Sequence, residues 1–172
     1  MSRLRRIALT DRIFFVTTNL QRKAAPFSPS ERTLLLESLA AERQRTVFYL
    51  YAYVVMPSHL HLLLDPADQA LSDLMRNYKS KAALSLANSG TRRGPFWQSR
   101  YYDSICRHAR NFGDKLEYIH NNPVEAKLVN RPEDWQWSSA AWYVNRSRPA
   151  VPIDPIELAS DPDALLWPAP WR

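Results

Sequence analysis

Cysteine is nearly absent: Cys106 is the only one in the chain. An internal disulfide and a thiolate metal cage are therefore excluded, and a reducing cytoplasm is the expected setting. Glycine is almost as scarce, at 3 of 172 residues, so no glycine-rich loop is available to wrap a nucleotide phosphate. Long hydrophobic runs are missing too. The longest, Val47 to Met56, is too short to cross a bilayer. Arg3, Arg5 and Arg6 bring positive charge to the start without an apolar stretch behind it, so no signal peptide is expected. No basic helix with a bulky apolar face stands out, which argues against a membrane surface. Acidic residues are outnumbered, 17 against 23 Lys and Arg, for a net charge of +6. That balance favours a polyanionic partner, nucleic acid above all.

What remains is a chain with 45% apolar and 12% aromatic residues, enough for one domain with an ordinary core. Ile13 to Thr17 is β-branched and aromatic, the mark of a first strand. Ser28-Pro29-Ser30-Glu31 starts a helix, with Ser28 as N-cap, Pro29 in the first turn and Glu31 completing a capping box. That helix is expected to run to about Arg45. Val47 to Met56 reads as a strand with Tyr49, Tyr51 and Tyr53 on one face, and Pro57-Ser58 turns it into a third strand ending near Asp65. Leu71 to Ala87 has helical spacing, Phe96 to Cys106 reads as a fourth strand, and a last clear helix spans Ala109 to Asn122, ended by Pro123. The order predicts an α+β fold, a ferredoxin-like four-stranded antiparallel sheet with packed helices. Residues 1–145 are expected to form the domain and 146–172 a Pro/Trp-rich, irregular or helical C-terminal extension.

Two motifs carry chemistry. In Met56-Pro57-Ser58-His59-Leu60-His61, residues two apart on a strand share a face, so the two imidazoles lie side by side while Leu60 points away. The pair suits one shared metal ion; two half-exposed strand histidines that bind nothing are the plainer alternative. In Glu117-Tyr118-Ile119-His120-Asn121-Asn122-Pro123, a turn of about 100° per residue puts Tyr118 well off the buried stripe of Phe112, Leu116 and Ile119, with Asn122 on the same flank. Tyr118 is not placed as a core tyrosine. A boundary tyrosine followed by a helix-ending asparagine is the bland reading.

Together these motifs resemble the signatures of the single-tyrosine HUH transposases, and most closely the REP-associated tyrosine transposases. Tyr78-Lys79-Ser80, Phe96-Trp97-Gln98-Ser99-Arg100-Tyr101-Tyr102-Asp103 and Trp135-Gln136-Trp137-Ser138-Ser139 also match in order and spacing, so the likeness extends from about Arg12 to Trp142. The resemblance implies the HUH nuclease fold, His59 and His61 as the metal pair, Tyr118 as nucleophile and Asn122 as third metal ligand, where many relatives carry Gln. It further implies single-stranded or hairpin DNA as partner and a bacterial cytoplasmic setting. Relatives of this branch suggest a monomer, whereas the insertion-sequence relatives trade helices between subunits.

The residue types suit that chemistry. Two imidazoles and an amide leave open positions on Mg²⁺ or Mn²⁺, nitrogen ligands favouring Mn²⁺, and such an ion polarises a scissile phosphate. An ordinary phenol is ionised to only about one part in a thousand at neutral pH, so activating it requires about 4 kcal/mol. Arg76, Lys79, Lys81, Arg92, Arg93 and Arg100 are candidate contacts to a DNA backbone, a solvated charged face being the alternative. Trp97, Tyr101 and Tyr102 are candidates to stack bases, with core packing as the competing role. Two rival functions stay open: a noncatalytic nucleic-acid-binding module, and a phosphodiesterase in which water attacks.

Overall fold

The computed structural model describes residues 12–154 and 156. Arg3, Arg5, Arg6 and the extension from 157 onward lie outside the described residues. The elements are β1 (Ile13–Asn19), α1 (Pro29–Arg45), β2 (Tyr49–Val55), β3 (His59–Asp65), α2 (Leu71–Asn88), β4 (Tyr102–Cys106), α3 (Ala109–Glu125), a 3₁₀ turn at Pro132–Asp134 and α4 (Ala140–Asn145). All strand pairs are antiparallel, in the order β2-β3-β1-β4. That is the ferredoxin-like split βαβ arrangement expected from the element order. Among the described residues no helix is long and apolar enough to cross a membrane.

Local chemistry explains the elements that matter for the site. Ser28 caps α1 through its hydroxyl, 3.2 Å from the Glu31 N–H, while the Glu31 carboxylate accepts from the Ser28 N–H at 2.8 Å. The helix begins and ends as its sequence dictates. Opposed residues of paired strands share a face, so His59, His61, Leu63 and Asp65 line one side of the sheet with Asn19, Thr17 and Phe15, and Tyr102 joins them from β4. Helix α3 packs across β2, β3 and β4, with Phe112 and Ile119 fully buried.

Three expectations about the elements are corrected. A bulge between Leu50 and Ala52 shifts the β2 register, pairing Tyr49 with Asp65 but Tyr53 with Leu62. Residues three apart on β3 face opposite ways, so Tyr53 points away from Tyr49. The fourth strand starts at Tyr102, not Phe96. Trp97 makes only an isolated bridge to Leu20, and Lys79 Nζ then captures the carbonyls of Gln98 and Ser99 at 2.6 and 3.4 Å, drawing the backbone toward α2. Finally, α3 continues through Pro123 to Glu125. The proline removes one helical donor but its φ is already helical. Bonds from the Ala126 N–H to Asn122 and the Leu128 N–H to Pro123 close the turn, and Lys127 ends it at φ 58.

The segment beyond α4 packs back onto the domain. Val151 is buried, its N–H donates to the Tyr53 hydroxyl at 3.2 Å, and Asp154 accepts from the Leu50 N–H at 2.8 Å while pairing with Arg43 at 2.9 Å.

Arg92 and Lys81, expected at a nucleic acid, are instead engaged inside the fold. The Arg92 guanidinium reaches both oxygens of the nearly buried Glu31 carboxylate at 2.8 and 3.0 Å, and donates to the carbonyls of Ala25 and Pro26. Burial works against ionisation of Glu31, yet the hydrogen bonds from Arg92 and Ser28 outweigh it and hold the carboxyl below its ordinary range. Lys81 and Arg45 likewise enclose the buried Glu42 carboxylate at 2.8 and 2.6 Å, joining α1 to α2. Charges matched to a buried partner over such distances leave no trace in local sequence. We therefore predict that Arg92→Ala lowers stability by about 3 kcal/mol, because it strands a buried carboxylate; urea denaturation would register the loss as a reduced midpoint.

Candidate active site

The site is assembled from β1, β3, β4 and α3. The turn that delivers His59 is pinned on three sides: the Met56 N–H donates to His59 O at 2.8 Å, the Leu20 N–H to Ser58 O at 2.9 Å and the Phe27 N–H to Pro57 O at 2.7 Å. The Trp135-Gln136-Trp137-Ser138-Ser139 motif braces the strand before that turn. The Trp135 indole donates to Val55 O at 3.0 Å, the Val55 N–H donates to Trp137 O at 2.9 Å, and the Ser139 hydroxyl holds Tyr53. Arg32 lies over both indoles, 5.0 and 4.0 Å from their centres.

His59 and His61 stand with ring centres 4.6 Å apart. His61 stacks on Phe15 at 5.3 Å, and the Tyr118 ring meets His61 edge-on at 5.3 Å. Tyr118 remains 42% exposed, so its phenol is open to a ligand. One turn later on α3, Asn122 is buried and its Oδ1 lies 3.3 Å from His59 Nε2. One turn earlier, Lys115 Nζ sits 4.6 Å from the Phe15 ring centre and 6.0 Å from that of Tyr118. The two histidines, Tyr118 and Lys115 share an open cavity of about 410 Å³ with Phe15, Thr17, Asn19 and Tyr102. Thr17 and Asn19 escaped the sequence reading; the signal was the polar end of an otherwise apolar first strand, whose partners only pairing reveals. The other two histidines are elsewhere: His120 hydrogen-bonds Ser139 at 2.8 Å in the core, and His108 is the N-cap of α3.

Both site imidazoles are held neutral. Burial lowers the His59 pKa, against the opposing effect of the hydrogen bond that its Nε2–H donates to Asn122 Oδ1. Burial, then the charges of His59 and Lys115, depress His61 to about 3. Neutral rings keep lone pairs for a cation, and the surroundings fit one. His61 Nε2 is buried without a hydrogen-bond partner, an orphan that ordinarily costs about 1–3 kcal/mol. Its other nitrogen, Nδ1, is 2.8 Å from Thr17 Oγ1. His59 Nδ1 is 3.0 Å from Ser58 Oγ. If each Nδ1 instead carries the proton and donates to its hydroxyl, the His59–Asn122 hydrogen bond gives way, and both Nε2 lone pairs and Asn122 Oδ1 become available to one ion. Among the described residues no cluster of three His, Cys, Asp or Glu is present; the side-chain oxygen placed beside His59 is that of Asn122.

The other residues expected at DNA fall into three groups. Arg76, Lys79 and Tyr101 line a second cavity of about 330 Å³ with Ser72, Ser80 and Ser99. Arg93 and Arg100 are exposed on the loop before β4. Trp97 is instead only 8% exposed, with its ring 5.3 Å from Phe27 and 5.1 Å from Phe96; its faces are occupied by the core.

The family described as "Transposase IS200 like" matches residues 13–122, and the chain belongs to that family. It is similar to the REP-associated tyrosine transposase of Escherichia coli K12, 26% identical over 158 residues and 90% of each chain. A putative REP-associated tyrosine transposase of Haemophilus influenzae is 24% identical, over 81% of this chain and 85% of the relative. A solved REP-associated tyrosine transposase bound to a REP hairpin shares the fold, with a TM-score of 0.68 and 21% identity over 96% of this chain and 99% of that one.

If Thr17 fixes the His61 tautomer, Thr17→Val should weaken Mn²⁺ binding by about ten- to a hundredfold, and Thr17→Ser should retain it. Calorimetric titration of the purified proteins with MnCl₂ checks this; equal affinities for parent and Val variant would rule the role out.

Proposed function

We propose that this protein is a metal-dependent single-stranded DNA endonuclease and strand-transfer enzyme in which Tyr118 is the nucleophile. One observation carries the reading: an accessible phenol on α3 shares one cavity with two imidazoles, and a buried amide oxygen from the same helix lies 3.3 Å from one of them. His59, His61 and Asn122 would hold Mg²⁺ or Mn²⁺, which when bound supplies charge to a scissile phosphate and its leaving oxygen.

The chain's own residues account for the remaining requirements. Phe15 and His61 hold the Tyr118 ring in place for in-line approach. Lys115, on the same wall, offers positive charge to a phenolate or a phosphate oxygen. Attack of the Tyr118 oxygen on phosphorus forms a 5′-phosphotyrosine ester and releases the 3′-hydroxyl of the neighbouring nucleotide, which takes up the proton. Because one ester replaces another, the bond energy is retained, and a second 3′-hydroxyl can reverse the step to join strands without ATP.

An open cavity at a sheet edge accommodates a flexible strand more readily than a stiff duplex. Arg76, Lys79, Arg93, Arg100 and Tyr101 would contact backbone and bases beyond the cavity. Hairpin DNA as the substrate follows from the similarity to a REP-associated tyrosine transposase bound to a REP hairpin. The proposed working unit is a monomer in which His59, His61, Asn122 and Tyr118 act in cis. The low cysteine content and absence of a membrane-crossing helix among the described residues accord with action in a bacterial cytoplasm. Residues 146–172 would be an appendage to the 1–145 catalytic domain.

The test uses labelled single-stranded hairpin DNA with Mn²⁺. The parent should yield a protein–DNA species that survives SDS, and Tyr118→Phe should bind DNA yet form none. Cutting that persists in the Phe variant would instead mean water attack, and binding with no adduct in the parent would mean a noncatalytic module.

A further inference from the structure

We propose that Tyr102 and Asn19 form a subsite for one unpaired nucleobase beside the Tyr118 cavity. The subsite deepens, and rests on, the reading of that cavity as a strand-cleavage site. It begins with register. Thr17 is paired with His61 on one side and with Tyr102 on the other, so the three residues form one row across β3, β1 and β4, all facing α3. With neighbouring strands about 4.8 Å apart, the backbones of His61 and Tyr102 are about 10 Å apart. A single nucleotide bridges that gap, with its phosphate at the histidine end and its base at the tyrosine.

The chemistry of the row matches such a ligand. Tyr102 is 59% exposed, although it lines a concave site. Further along the same face of β4, Cys106 is buried, so the strand enters the core at one end and leaves a bare aromatic ring at the other. A ring in that position presents a stacking surface that every base can use. Asn19 stands opposite His59 in the register and lines the same cavity. Its backbone is tied down by the Gln98 N–H at 2.9 Å, yet its side chain makes no hydrogen bond among the described residues. A half-buried amide with an acceptor and two donors unused can pair with the edge of a base. Access follows from topology: β4 is the outer strand of the sheet, so a chain of nucleotides can enter over that edge.

Tyr102 therefore supplies affinity that is indifferent to sequence, and Asn19 supplies discrimination among bases. The experiment measures binding of fluorescein-labelled single-stranded hexamers (dT6, dA6, dC6 and an all-abasic hexamer of equal charge) by anisotropy. The parent should prefer base-containing hexamers over the abasic one by on the order of ten- to a hundredfold. In Tyr102→Ala that preference should shrink at least fivefold, with abasic binding unchanged, and Tyr102→Phe should restore it. Asn19→Ala should keep the preference over abasic DNA while narrowing the differences among dT6, dA6 and dC6. A Tyr102→Ala protein that discriminates like the parent overturns the subsite, as does a parent that binds all hexamers alike. Adduct formation on hairpin DNA is scored separately in the same proteins. A parent that prefers bases but forms no adduct removes the strand-cleavage reading alone; adduct without base preference removes the subsite alone.

Discussion

Slide β3 by one residue along β1, and both imidazoles turn from the face covered by α3 into the layer of α1 and α2. The antiparallel register between these two central strands is thus the constraint from which the site is built, because side-chain direction alternates with a period of two. In the observed register Asn19 opposes His59 and Thr17 opposes His61. The apolar residues Leu60, Leu62 and Leu64 are then buried on the opposite face, where they anchor the pairing that presents the histidines. A strand can display two polar rings in a cavity only if its other face is wholly committed to the core, and β3 meets that condition.

Helix α3 supplies the other half of the geometry. Phe112 and Ile119 fasten it to the sheet, which turns Lys115, Tyr118 and Asn122 toward the cavity at successive turns. Continuation of the helix through Pro123 matters here. It keeps Asn122 within a regular turn, where its amide is fixed beside His59 instead of fraying at a terminus. The hydroxyls of Thr17 and Ser58 then meet the outer nitrogens of the two imidazoles, so a site with few ligands gains orientation from its neighbours.

Much of this was legible in the chain. The capping box at Ser28, the strand alternation through His59 to Asp65 and the helical spacing from Leu71 all translate local pattern directly into structure. So does the off-stripe angle of Tyr118 on α3. What eluded reading depended on partners far away in sequence. The bulge at Tyr51 is visible only in the pairing of β2 with β3. Arg92 looks like a free loop cation until Glu31, sixty-one residues earlier, claims it. Trp97 resembles a stacking platform until Phe27 and Phe96 close over it. Thr17 and Asn19 acquire meaning only once β1 lies against the histidine strand.

The central claim is that His59, His61 and Asn122 converge on one divalent cation facing Tyr118. Anomalous diffraction from crystals soaked in MnCl₂ examines it most directly. The account requires one strong peak at about 2 Å from His59 Nε2, His61 Nε2 and Asn122 Oδ1, on the side of the cavity toward the Tyr118 hydroxyl. A soaked crystal with no peak there, or with Mn²⁺ held only at other residues, would contradict it.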